Sequence, residues 1–251
     1  MKKLFVLSLA ILSLTACQMT EEITFKKDGS GIYNFKVDMS SMMKMGKEME
    51  GSKDSLAVKK EPKVQDSVIQ FGDLLAEMKD SLKDLSPEEQ KAFKHLKKMS
   101  LHIQVDESKD KMLMAYVLPF KQVSELENIM NDIKTIESKR GGKSKETGSF
   151  DKLMPQSDVK YSFDKYSFSR TTIVKEKDKK QVQDTAKDNN GLDQMMQMFS
   201  YKIIYHFPKK IKSVSYKDAL LSADGKTLHI DVPMDKISEN PKFVDFEVIF
   251  E

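Results

Sequence analysis

Hydrophobic and polar residues change period several times along this chain, and each change marks an element. Leu4 to Leu14 is an apolar block broken only by Ser8 and Ser13. As a helix it would reach about 16 Å, roughly half the thickness of a hydrocarbon layer. Ile23 and Phe25 alternate with polar residues, Asp28-Gly29-Ser30-Gly31 makes a turn, and Tyr33, Phe35 and Val37 resume the alternation. That pattern predicts a β-hairpin. Asp38 or Ser40 then caps a helix carrying Met39, Met42, Met43, Met45 and Met49.

Residues 51–66, rich in Lys, Ser and Glu with Pro62, read as a charged linker. From Ser67 the spacing of Phe71, Leu74, Leu75, Met78, Leu82 and Leu85 predicts an amphipathic helix. Ser86-Pro87-Glu88-Glu89 is a helix start: Ser86 caps, Pro87 opens the first turn and Glu89 closes a capping box. Ala92, Phe93 and Leu96 lie on that second helix, so the two form a helical hairpin with an apolar face to cover. Leu101, Ile103 and Val105 alternate, and after a turn Met112 to Leu118 returns as a mostly apolar strand ending at Pro119. Ser124 and Glu127 suggest another capping box, ahead of a stripe of Leu126, Ile129, Met130, Ile133 and Ile136.

Residues 138–157, with Gly141-Gly142 among lysines and serines, read as a solvated loop. Val159, Tyr161 and Phe163 turn at Asp164-Lys165 into a strand through Phe168 and Ile173. Lys175 to Asn190 is highly charged and reads as a solvated helix or loop. Leu192, Met195, Met196 and Phe199 suggest a short amphipathic helix, and Tyr201, Ile203, Tyr205 and Phe207 a strand stopped by Pro208. Asp224-Gly225-Lys226 joins Ala219–Ala223 to Thr227–Val232 as a further hairpin. Phe243 to Phe250 closes the chain as a strand with Phe246, Val248 and Phe250 on one face. The fold class is therefore α+β: a mainly antiparallel sheet from several hairpins, with amphipathic helices packed on one face.

Composition sharpens this reading at a few points. The formal net charge is +3, and it drops nearly to balance once Lys2 and Lys3 are removed. Only Arg140 and Arg170 supply guanidinium groups. A nucleic-acid partner would need a basic excess, and arginine is the usual residue for bidentate contacts to phosphate or guanine, so none is expected. Cys17 is the single cysteine. A disulfide framework is thus absent, and the domain depends on its core. No stretch after Leu14 approaches the ~18 apolar residues of a membrane-spanning helix.

The start of the chain carries the one specific motif. Lys2 and Lys3 give a positive n-region ahead of the apolar block, as in a secretory signal peptide. Leu14-Thr15-Ala16-Cys17 then resembles the lipobox of bacterial lipoproteins handled by the lipoprotein-specific signal peptidase. The resemblance implies cleavage between Ala16 and Cys17, a thioether-linked diacylglycerol on Cys17 and acylation of the new amino group. Residues 1–16 are then a cleaved signal peptide, 17–22 a lipidated N-terminus with a short tether, and 23–251 a single extracytoplasmic domain with charged loops near 51–66 and 138–157. Attachment would come from acyl chains, two or three of which hold firmly where one does not. Gln18 stands where an aspartate commonly retains enterobacterial lipoproteins at the inner membrane, which by that resemblance favours the outer membrane. Glu21-Glu22 reads as a solvated acidic pair, or as a surface-export signal of the kind some phyla use. The periplasmic or surface side stays open.

Two further stretches carry a second resemblance. Ile23-Thr24-Phe25-Lys26-Lys27-Asp28-Gly29-Ser30-Gly31, and Phe207-Pro208 followed by Ile211, Val214 and Asp224-Gly225-Lys226, look like the LppM-type extracytoplasmic lipoprotein domain. That resemblance implies a β-rich domain with helical insertions and no established enzymatic role. The segment 67–99 departs from it, and its matching positions are turns and strands with no functional residue to transfer.

Catalytic, metal and cofactor chemistry leave little trace. His95, His102, His206 and His229 have no second His or Cys at metal-ligand spacing. The last three fall on expected strands, on the face opposite the apolar set. The methionines after Asp38 are a soft-ligand set of the kind Cu(I) takes, or simply an adaptable apolar face. The Gly29–Gly31 turn lacks the Lys-Ser/Thr and following helix of a P-loop, and no Gly-x-Ser-x-Gly elbow occurs. No catalytic, cofactor-binding or metal residue is nominated. The expected function is a lipid-anchored envelope lipoprotein serving as a binding or structural module. Two alternatives are a carrier of a lipid or other hydrophobic ligand and, less favoured, an envelope hydrolase. The partners expected are the membrane and either a hydrophobic ligand or an envelope protein.

Overall fold

The computed structural model describes residues 17–51, 62–77, 86–139, 158–174 and 198–251. Strand β1 is Cys17–Phe25 and β2 is Gly31–Asp38, paired antiparallel with Glu21 opposite Phe35. Gly29 turns the chain at φ +82°, a conformation L side chains avoid. Gly31 lets β2 begin hard against its neighbour, since a Cβ there would lie 2.3 Å from the Thr24 carbonyl oxygen. Helix α1 (Ser40–Gly51) follows, then β3 (Val64–Gln70), α2 (Phe71–Glu77) and α3 (Pro87–His95). The chain continues through β4 (Ser100–Asp106), β5 (Lys111–Phe120) and α4 (Ile129–Lys139). The remainder is β6 (Asp158–Phe163), β7 (Ser167–Ile173), β8 (Phe199–His206), β9 (Ile211–Val214), β10 (Leu220–Leu221), β11 (Thr227–Pro233), α5 (Met234–Glu239) and β12 (Phe246–Phe250). No helix among the described residues is long and apolar enough to cross a membrane.

These strands form two sheets. The larger runs β10-β11-β8-β1-β2-β5-β4-β3 and the smaller β6-β7-β12-β9. All pairings are antiparallel except that of β1 with β8, which runs parallel with Cys17 beside Phe199 and Thr24 beside His206. One face of the large sheet carries Met19, Ile23, Tyr33, Phe35, Leu101, Tyr116, Leu118, Tyr201, Ile203 and Tyr205, all buried. The small sheet packs on this face through Phe168, whose ring lies 5.3 Å from both Tyr205 and Phe207. Phe25 and Phe163 stack at 4.5 Å. Phe93, Leu96, Ile129 and Ile133, from α3, α4 and the turn after α3, join the same core. The other face holds Glu22, Lys36, His102, Lys202 and His206.

The α+β class and the mainly antiparallel pairing match expectation, and so do four hairpin or cap details. The Ser86 box is complete, with Glu89 N–H donating to Ser86 Oγ and Ser86 N–H to Glu89 Oε2 at 2.7 Å. The turns at Asp28-Gly29, Asp164-Lys165 and Asp224-Gly225 fall where the sequence places them. Helices share the core face with a second sheet, which the single-sheet expectation omits.

Other expectations need correction. The expected tether 17–22 is the first part of β1, held by strands on both sides. The linker 51–66 ends early, because Val64–Gln70 pairs with β4 along its whole length and so forms a sheet edge, not a helix from Ser67. There pairing overrides the helical period, which takes hold only at Phe71. The box before α4 uses Gln122 and Glu125 instead of Ser124 and Glu127. Glu125 Oε1 accepts from the N–H groups of both Lys121 and Gln122 at 3.0 Å, closing a 3-10 turn. Asn128 then takes φ +62° and α4 starts afresh. The final strand begins at Phe246, after a 3-10 turn over Pro241–Val244. The short helix expected at Leu192–Phe199 lies outside the described residues except for its end, where Phe199 opens β8. The loop 138–157 likewise lies outside them from residue 140, and the charged run 175–190 lies outside them entirely.

Candidate functional site

Period-two alternation along β1 puts Cys17, Met19, Glu21, Ile23 and Phe25 on the core face. A carboxylate therefore enters the interior between the sheets. Glu21 is 2% exposed. Strand β8 delivers Tyr201 and Tyr205 beside it, and the small sheet delivers Tyr161 from β6 and Arg170 from β7. Tyr161 Oη donates to Glu21 Oε1 at 2.7 Å, Tyr205 Oη donates to the same oxygen, and Tyr201 Oη donates to Oε2. Arg170 Nη2 lies 3.2 Å from Oε2, and Nη1 donates to the Val244 carbonyl.

Burial works to raise the Glu21 pKa, but the Arg170 charge and the three hydroxyls together outweigh it and hold the carboxyl below its usual range. Arg170 stays charged: burial opposes its charge and Glu21 more than compensates. Burial, reinforced by the Glu21 charge, pushes Tyr161, Tyr201 and Tyr205 well above ordinary phenols. All three are therefore neutral donors at physiological pH. The cluster is an ion pair with every carboxylate lone pair claimed, which suits a bolt between two sheets and leaves Glu21 no free oxygen for proton transfer.

Beside it lies a cavity of about 20 Å³, lined by Tyr33, Leu126, Ile129, Asp158, Tyr161 and Arg170 among others. Arg170 Nε is buried without a partner, as is Thr172 Oγ1 on the same strand. The space suits one water, whose oxygen would accept from that N–H. An acyl chain does not fit there. With its amide oriented to suit its neighbours, Asn128 Nδ2 lies 3.1 Å from both oxygens of Asp158 at the cavity's edge.

Cys17, the residue singled out by the lipobox, opens β1 next to Phe199 and is 1% exposed. Leu14, Thr15 and Ala16 lie outside the described residues. Burial pushes the Cys17 thiol up, against the lowering effect of the Met42 backbone N–H in the first turn of α1. The start of α1 is therefore a neighbour of the thiol.

The histidines do not converge. His95 joins α3 to α4, with Nδ1 2.5 Å from Asp132 Oδ2 and Nε2 against the Glu125 carbonyl. His102 on β4 meets Asp66 at 2.6 Å. His206 on β8 lies 3.1 Å from Thr227 Oγ1 and 3.3 Å from Glu22 Oε1, and Lys36 holds the other Glu22 oxygen at 2.6 Å. His229 is on β11. Strands β1, β2 and β5 separate His206 from His102. The order Thr227–His206–Glu22 has the form of a nucleophile relay, but it lies on an open sheet face with Lys36 engaging the acid. No group of three or more His, Cys, Asp or Glu among the described residues is placed to hold a metal ion.

The buried cluster went unnoticed in the sequence although its signal is there. Carrying the Ile23/Phe25 alternation backward puts Glu21 on the apolar face, so the reading of Glu21-Glu22 as a solvated pair holds only for Glu22. Arg170 follows Phe168 by two positions, with the same implication.

No protein-family model matches the chain, and no curated protein matches it. The NMR structure of the folded domain of LppM from Mycobacterium tuberculosis aligns over 94% of this chain and 90% of its own, at 8% identity and a TM-score of 0.38. A likeness of that size carries no argument about fold or function.

Proposed function

We propose that the protein is a lipid-anchored lipoprotein of the bacterial cell envelope, whose body acts as a binding or structural module at a membrane surface. The observation that carries this is the position of the single cysteine: Cys17 directly follows an apolar block and completes Leu14-Thr15-Ala16-Cys17. The modification would form a carbon–sulfur bond at Cys17 Sγ as the diacylglyceryl carbon–oxygen bond of a phospholipid donor breaks. The glycerophosphate head group leaves and the thiol proton is lost. Water then cleaves the Ala16–Cys17 peptide bond. Strand β1 starting at Cys17 supports a body held close to the bilayer instead of on a long leash. By the Gln18 resemblance we assign it to the outer membrane, with the facing side open.

The test is to feed cells radiolabelled fatty acid and to fractionate them. The native chain should carry label and sediment with membranes, and Cys17→Ser should carry none and move to the soluble fraction. A native chain recovered unlabelled with a free sulfur overturns the proposal.

A further inference from the structure

The setting of Cys17 raises a packing conflict. Its side chain faces the core, beside Phe199 of β8, and Met42 in the first turn of α1 packs against the same core cluster. The surrounding surface is rich in methionine. Met39 N–H donates to the Met112 carbonyl at 2.9 Å, and the next row of the same face is Met19, Val37 and Met114. Met42, Met112 and Met114 are only partly buried against the core. Such side chains are unbranched and polarizable, so they repack more readily than branched ones.

A diacylglyceryl group is far larger than the proton it replaces, and a closed core does not absorb added volume without displacing something. The helix packed next to Cys17 is α1. It is fastened to the sheet by Met112 N–H to Ser40 Oγ at 3.1 Å, and by Lys47 to Asp110 at 2.5 Å and to the Glu107 carbonyl. The Lys47 contacts are exposed and contribute little. Strand β1, by contrast, is paired on both sides from Gln18 onward and Cys17 itself is paired with Phe199, so the strand as a whole does not shift without opening the large sheet.

We propose that lipidation of Cys17 unseats α1 and lays its methionine face on the bilayer beside the anchor. This rests on reading Cys17 as the lipidated residue. Released from the sheet, α1 is a short amphipathic segment: Met42 and Met45 share a face, and the charged residues Lys44, Lys47, Glu48 and Glu50 balance in sign. That composition suits the head-group boundary of a bilayer, where the methionines enter the acyl region and the charged side chains stay among the zwitterionic and anionic head groups. The lipid and the helix exchange places, and the Met39–Met112–Met114 surface turns toward the membrane with them.

The chain has no tryptophan, so a single introduced indole reports position cleanly. Met45→Trp, at a 38% exposed site, probes α1. Tyr166→Trp, on the β6–β7 turn, probes the opposite end of β1, a strand length of roughly 27 Å away. Each is made in the full chain, checked by mass spectrometry for the diacylglyceryl adduct, and placed in phosphatidylethanolamine–phosphatidylglycerol vesicles with brominated acyl chains. The expected result is quenching of Met45→Trp by at least half, little quenching of Tyr166→Trp, and none when Cys17→Ser is combined with Met45→Trp. Hydrogen exchange at the Met112 amide, which loses Ser40 Oγ when α1 leaves, should be at least tenfold faster in the lipidated native chain than in Cys17→Ser. A chain that carries the adduct but shows neither effect, or quenches equally at both positions, overturns the displacement and leaves the anchor standing. A chain without the adduct overturns the anchor and this inference together.

Discussion

Glu21 and Glu22 are neighbours in sequence and occupy different media. Glu22 meets Lys36 and His206 on the open sheet face, and Glu21 meets only Arg170 and three tyrosines in the core. Removing one member of such a pair leaves the other buried and uncompensated, which typically costs about 3–5 kcal/mol. Glu21→Gln should therefore lower the stability read from urea unfolding by about that amount. Glu21→Leu with Arg170→Met should still be destabilised, because three hydroxyls lose their acceptor at about 1–3 kcal/mol each. The depressed Glu21 pKa gives the pH sign. Its stabilisation is present above the usual carboxylate value and is lost as pH falls through the folded value. The gap between native protein and Glu21→Gln should therefore close in acid. A gap independent of pH would mean that the carboxylate is not charged in the fold. Strand alternation alone makes the burial of Glu21 legible, but its partners sit 140 to 184 residues away, and no local pattern names them.

At the scale of elements, the signals that succeeded are self-contained. Ser86, Pro87 and Glu89 complete their box within one turn, so the sequence is sufficient. The hairpin turns succeed for the same reason. The strand character of β3 comes from pairing with β4, a contact that its own seven residues do not announce. Helices α3 and α4 meet through His95, whose two ring nitrogens both face acceptors. The Asp132 carboxylate, helped by the Glu125 carbonyl and opposed by burial, raises the imidazole pKa. The charged ring donates at both positions, and the neutral ring leaves one acceptor facing a lone pair. A raised folded pKa means that this stabilisation is complete below the unfolded value of about 6.5 and is lost as pH rises through the folded value. Thermal unfolding of His95→Gln should thus fall short of native at pH 6 and draw level toward pH 9. An unchanged difference across that range would separate the helix contact from protonation.

At the scale of the molecule, the two sheets share one interior. Phe168 touches Phe25, Tyr161, Tyr205, Phe207 and Phe246, so it belongs to both layers. Phe168→Ala should cost about 3–5 kcal/mol, and far-ultraviolet and near-ultraviolet circular dichroism should report the same lowered midpoint. Two separate transitions would show that the sheets are independent. The class α+β was legible from hairpins and helical stripes. The second sheet and the parallel partner of β1 were not, since both join segments that the chain brings together only at the end. That partner has a mechanical meaning if Cys17 is the mooring point. A tug from the membrane then pulls β1 lengthwise between β2 and β8, with eight residue pairs on each side. The hydrogen bonds of both ladders are loaded in shear and must fail together instead of unzipping singly, so the strand nearest the anchor is the one best placed to bear force.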